Sequence, residues 1–130
     1  MPAAKLVSST DDSLVLQIEI PKSDDFLQQE EMIQDSLNDA GMLATKLSLE
    51  DFDTDGSPIV LANEKWTAKK TKVPKDYETP FGKIKHARFV YQRSGGGFTF
   101  CPLDSNARIL ESTTPRSVSY THLRAHETLR

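Results

Sequence analysis

Tyr77-Glu78-Thr79-Pro80-Phe81-Gly82-Lys83-Ile84-Lys85-His86-Ala87-Arg88-Phe89-Val90-Tyr91-Gln92-Arg93-Ser94-Gly95-Gly96-Gly97-Phe98-Thr99-Phe100-Cys101-Pro102-Leu103 carries the punctuation of successive β-hairpins. Pro80 and Gly82 suit the second and fourth positions of a β-turn, because proline presets φ at the second position and the fourth favours glycine. Lys83 to Arg93 is the longest strand candidate, with Phe89 and Tyr91 on one face and Ile84 and Val90 on the other. Ser94 to Gly97 then turns the chain back into a strand over Phe98 to Cys101. Upstream, Ile59 to Leu61 is a short apolar strand, Asn63-Glu64 a turn, and Lys65 to Thr67 the returning strand. Between these pairs, Lys69 to Lys75 is polar and reads as an exposed loop or a wide hairpin connection.

The N-terminal half has a different period. Leu14, Leu16, Ile18 and Ile20 alternate with Val15, Gln17 and Glu19, as in a strand with one buried face, and Pro21 ends it. Ser23 can cap a helix whose first turn holds Asp24 and Asp25, where unpaired amides and the helix dipole favour negative charge. Phe26, Ile33, Leu37 and Ala40 follow at spacings of seven, four and three and share one face. Gly41 is placed to stop the helix in a left-handed conformation. A second short helix is expected from about Met42 to Phe52, ended by the turn-rich Asp53 to Pro58. The expected class is α+β: an N-terminal strand and helices over about 1–58, then a small antiparallel β-hairpin region over 59–116.

Composition bounds the function. The 130 residues are 37% hydrophobic, which leaves room for one small domain with a modest core. No apolar run approaches the roughly 20 residues that span a bilayer, so no membrane partner is expected. The start Met1-Pro2-Ala3-Ala4-Lys5 lacks the apolar stretch of a signal peptide. Cys101 is the sole cysteine, which excludes an intrachain disulfide and makes a reduced, cytoplasmic setting the expectation.

The net charge of -3 hides strong segregation: residues 1–63 hold 13 acids and 3 bases, whereas residues 64–93 hold 9 Lys or Arg and 3 acids. A basic segment with interleaved aromatics is the footprint of phosphate contact. The candidate DNA-binding residues are Lys65, Trp66, Lys69, Lys70, Lys72, Lys83, Lys85, Arg88 and Arg93, the cations neutralising phosphates while an aromatic packs on sugar or groove wall. In the competing reading the aromatics are core, and the acidic and basic halves neutralise each other inside one molecule.

Other motifs carry less. Asp51-Phe52-Asp53-Thr54-Asp55-Gly56 matches the opening of a calcium-binding EF-hand loop, but the closing twelfth position is Ala62 where a bidentate Glu is required. A turn in which Asp53 and Asp55 accept backbone hydrogen bonds is the simpler expectation. Cys101 cannot supply a four-ligand zinc site, and His86 stands too far from other ligands to help. His86 also sits on the Ile84 face, where an apolar residue would be more at ease.

Several blocks, taken in order, resemble the N-terminal region of ISKra (type four) insertion-sequence transposases: Ala44-Thr45, Phe52 to Ile59, Lys65 to Thr67, Tyr77 to Leu103, Ala107 to Ile109 and Thr113 to Arg116. The resemblance implies a DNA-cutting and DNA-joining parent protein, element-end DNA as partner, and a homo-oligomer or folding module as the alternative role for this region. Such enzymes use three acidic residues from distant parts of an RNase-H-like domain to hold divalent metal, Mg by implication. Asp51, Asp53 and Asp55 sit on one turn and cannot play that part, so the resemblance places catalysis beyond Arg116 and assigns no catalytic residue or cofactor to residues 1–116. Ser117 to Thr128 resembles the translation of a tagmentation sequencing adapter, so residues 117–130 are expected to be an adapter-derived tail; a basic C-terminal helix with His122 and His126 one turn apart is the alternative.

Overall fold

The computed structural model describes residues 3–93 and 95–118. It opens on a hairpin of β1 (Ala4–Ser9) and β2 (Leu14–Ile18), whose register shifts between Leu6 and Ser8. Thr10 closes the connection: its hydroxyl accepts the Asp12 and Ser13 amides. The hairpin lies against helix α1 (Phe26–Leu49), which continues into a 3-10 turn over Glu50–Phe52. Ser23 sits just outside α1, its hydroxyl accepting the Asp25 N–H and donating to Gln28, while Gln29 Oε1 takes the Ser23 amide at 2.6 Å. These side chains satisfy amides at the helix entrance that have no intrahelical partner.

Gly41 does not end a helix, in contrast to the sequence expectation. The Phe81 ring, from the turn at Thr79–Gly82, lies where a Gly41 Cβ would be. Glycine is required there by close approach of another segment, and one unbroken helix replaces the two expected.

The rest is antiparallel. Strands β3 (Ile59–Leu61), β4 (Glu64–Ala68), β7 (Tyr91–Arg93) and β8 (Thr99–Phe100) form a four-stranded sheet in the order β3-β4-β7-β8, and β5 (Val73–Thr79) pairs with β6 (Gly82–Arg88) in a separate hairpin. Ala62 and Asn63 make the β3–β4 turn with φ of 50° and 65°, a two-residue connection whose twist matches that of its strands. The single strand expected over 83–93 is therefore two strands in two sheets, divided at Phe89 and Val90. A short helix α2 (Pro102–Asn106), which the periodicity did not announce, follows β8.

Tyr77, Ile84, Leu49 and Leu103 form the core, with Met42, Cys101, Ala107 and Ile109 packed around it. Tyr77 and Leu103 are wholly buried, and each such apolar side chain contributes about 1.5–3 kcal/mol on transfer from water. The C-terminal segment is tied to the β5 edge by Glu78 N–H to Ser112 O and Thr114 N–H to Glu78 O. Ser117 is buried and receives the Thr114 hydroxyl at 3.3 Å; residues 119–130, most of the expected tail, lie outside the described residues.

Candidate nucleic-acid interface

Cross-strand register sorts the four-stranded sheet into two faces. Ile59 opposes Trp66 and Trp66 opposes Arg93, while Ala68 opposes Tyr91 and Tyr91 opposes Phe100. These residues are buried or half-buried. The other face holds Val60 opposite Lys65 and the row Thr67, Gln92 and Thr99, all exposed and none acidic. Lys69 continues β4 through its N–H to Val90 O at 3.0 Å, so strand alternation puts it on the same side as Lys65 and Thr67. Lys69 and Lys70 are exposed and form no ion pair among the described residues.

The structure separates the remaining candidates from this face. Trp66 is on the inner face, packed edge-on against Phe100 with ring centroids 6.2 Å apart, and its indole N–H is buried without a hydrogen-bond partner among the described residues. Arg93 is beside it, paired with Glu64 at 3.1 Å. Lys72 lies 3.5 Å from Glu50 and 4.9 Å from the centre of the Phe89 ring. On the outer side of the β5–β6 hairpin, Lys83 meets Glu78 at 3.5 Å and Lys85 stands directly opposite Asp76, so that surface is balanced in charge.

Arg88 turns inward. The residue is 8% exposed, and its guanidinium donates to Val73 O at 2.9 Å and lies 4.0 Å from Asp104. Asp104 also accepts the Tyr77 hydroxyl at 2.6 Å and lies 3.7 Å from Lys75. Burial, and then the bond to Asp104, push the Tyr77 phenol well above its ordinary range. His86 is 1% exposed, with Nε2 3.6 Å from Glu50 Oε1 and neither ring nitrogen hydrogen-bonded among the described residues. Burial holds its pKa below the ordinary value, and the Glu50 charge opposes that only in part. The sequence signalled the Glu78–Lys83 and Asp76–Lys85 oppositions through the turn at Pro80 and Phe81. It did not signal Asp104, which reaches its partners from a helix 16 residues beyond Arg88.

The Asp53–Ser57 turn is fastened to β7. Asp53 accepts the Thr54 and Phe89 amides at 2.8 and 3.1 Å, and Asp55 accepts the Ser57 amide. Hydrogen bonds from Ser57 hold the Asp55 carboxyl below the usual carboxylate range. The wholly buried Tyr91 donates to Ser57 O at 2.7 Å and lies 2.7 Å from the Thr54 hydroxyl. These carboxylates are thus engaged with backbone amides, as in the turn reading. Among the described residues no group of three or more His, Cys, Asp or Glu converges as a metal site, and no helix is long and apolar enough to cross a membrane. Cys101 is half-buried against the core, and burial raises its thiol pKa.

No protein-family model, no curated protein and no solved structure matches the chain.

Proposed function

We propose that residues 1–116 are the N-terminal, noncatalytic region of an ISKra (type four) transposase, and that their own task is to bind or position element-end DNA. The observation that supports this reading is the exposed face of the four-stranded sheet, which carries Lys65 and Lys69, is continued by Lys70, and holds no acidic side chain. Such a face attracts phosphate without asking for a base sequence, and its affinity falls steeply with salt through counterion release. The chemistry of strand cutting belongs, in this reading, to a metal-binding domain beyond Arg116.

A second reading is favoured by Lys72, Lys83, Arg88 and Arg93, which are already paired with Glu50, Glu78, Asp104 and Glu64. In it the basic segment is neutralised inside the molecule, by Glu50 of the acidic half and by acids from its own and the following segment, and the region serves folding or assembly of the parent enzyme without touching DNA. Fluorescence anisotropy of the full chain with a labelled duplex of arbitrary sequence separates the two. Under the DNA reading binding appears at low ionic strength, and replacing Lys69 and Lys70 with Ala lowers the log-log salt slope by about 0.9 for each phosphate that is no longer neutralised. No binding at low salt, or an unchanged slope, would refute it.

A further inference from the structure

Phe98 is the most exposed large apolar side chain among the described residues, at 80%. A single exposed apolar residue is ordinary on a protein surface; the mounting of this one is not. It stands in the short ribbon of β7 and β8, just outside the ladder that pairs Gln92 with Thr99, at the end of the sheet that also carries the Ala62–Asn63 turn. Three glycines precede it. A Cβ on Gly95 or Gly96 would meet nothing beyond its chain neighbours within 4 Å, so the tip projects clear of the sheet. Gly96 and Gly97 hold φ of 83° and 98°, left-handed values that glycine adopts without strain. The slender tip is nevertheless braced. Gly96 N–H donates to Arg93 O at 3.0 Å, and Arg93 Nε donates back to Gly96 O at 3.4 Å. The same guanidinium lies 3.1 Å from the place of a Gly97 Cβ and pairs with Glu64 on β4 at 3.1 Å. The aromatic ring is thus carried on a thin, tied support.

Charge names the partner. Thr67, Gln92 and Thr99 form an exposed row without an acid beside this tip, and Lys69 lies on the same side of the sheet. The carboxylate at this end of β4, Glu64, is neutralised by Arg93. Lys69 is three residues along β4 from Trp66, which is level with Arg93, and two strands from β8, so about 10 Å along the strands and about 10 Å across them separate it from the tip. Phosphates of one DNA strand follow every 3.4 Å or so along the axis, and a phosphate held by Lys69 leaves Phe98 within a few base pairs. Resting on the DNA reading, we propose that Phe98 is a wedge: when duplex DNA is held on the sheet, the ring enters a base step and unstacks it, so the duplex this region favours is a deformable or already unstacked one. Apolar side chains inserted in this way kink the duplex at a cost in stacking, and that cost is least where a step is already mismatched.

The test uses the full chain and two short duplexes, one fully paired and one with a central mismatch, with affinity read by fluorescence anisotropy and unstacking by the emission of 2-aminopurine placed in the paired duplex. The expected result is binding of the mismatched duplex at least about tenfold tighter, and a rise in 2-aminopurine emission when the paired duplex is bound. Phe98→Ala binds the two duplexes within about twofold of each other and gives no rise, at an unchanged salt slope because every cation is still present. Phe98→Leu, which keeps an apolar wedge, retains part of both signals. Equal affinity for the two duplexes in the natural sequence, or an emission rise that survives Phe98→Ala, would overturn the wedge and leave the DNA reading standing. Absence of all binding at low salt would overturn both.

Discussion

Replacing Gly41 with Ala has a sign that depends on Phe81. In a helix interior Ala is favoured over Gly by about 0.5–1 kcal/mol, since it loses less backbone freedom on folding. Against this, the new methyl group takes the place of the Phe81 ring, which must leave. Phe81 is 43% exposed, so a little over half of its burial is at stake, about 1–1.5 kcal/mol of the about 1.5–3 kcal/mol for a fully buried Phe. Gly41→Ala is therefore expected to cost about 0.5 kcal/mol in the natural sequence and to stabilise by about 0.5–1 kcal/mol in a Phe81→Ala background, a coupling of about 1–1.5 kcal/mol. Urea unfolding followed at the helix signal measures all four proteins, with the denaturant slope held as the control for two-state behaviour. If Gly41 served as a left-handed helix stop, Ala would destabilise both backgrounds equally. Equal costs would refute the close-approach explanation.

Tyr77→Phe removes a hydrogen bond to a charged carboxylate and is expected to lower stability by about 1.5–3 kcal/mol, towards the lower end because Lys75 and Arg88 still face Asp104; a change within error in chemical denaturation would dismiss the buried network as a stabiliser. For His86, the folded pKa lies below the ordinary 6.5, so the unfolded chain binds the proton more readily. Its contribution is complete above pH 6.5 and is lost as pH falls through the lower folded value. His86→Leu should flatten the stability profile between pH 6.5 and the lower folded value, and a profile of unchanged slope in the variant would place the titrating group elsewhere.

Much of the β-structure was legible because turns announce themselves locally. Pro80 and Gly82 place the β5–β6 turn, the glycines after Arg93 place the β7–β8 turn, and the alternation at Leu14 to Ile18 gives β2. The strand β1 was not legible: Lys5-Leu6-Val7-Ser8 breaks alternation at its register shift, and its pairing with β2 is a tertiary fact. Gly41 was read by its commonest helix-end role, since nothing near it in sequence points to Phe81. Among the candidate DNA-binding residues, Lys69 and Lys70 stand exposed where a polar loop was expected. Arg88 was grouped with the surface cations because composition counts charge without direction. Alternation with Ile84 and His86 would have turned it inward, but a buried guanidinium needs an acid, and Asp104 is supplied by a helix with too few residues to show a period.

The joint at Phe89 and Val90 acts as a phase shifter. Along β6 the even-numbered Ile84, His86 and Arg88 are buried, whereas on β7 the buried residue is the odd-numbered Tyr91 and Gln92 is exposed. A straight strand would have aimed Tyr91 at water and left Thr54 and Ser57 without their anchor. The two joint residues thus convert one hairpin's parity into that of another sheet, and losing or gaining a single residue here would invert the faces of everything downstream. Chain length should accordingly be intolerant of change at 89–90 and permissive in the exposed Lys69–Lys72 loop, although both lie between the same two sheets.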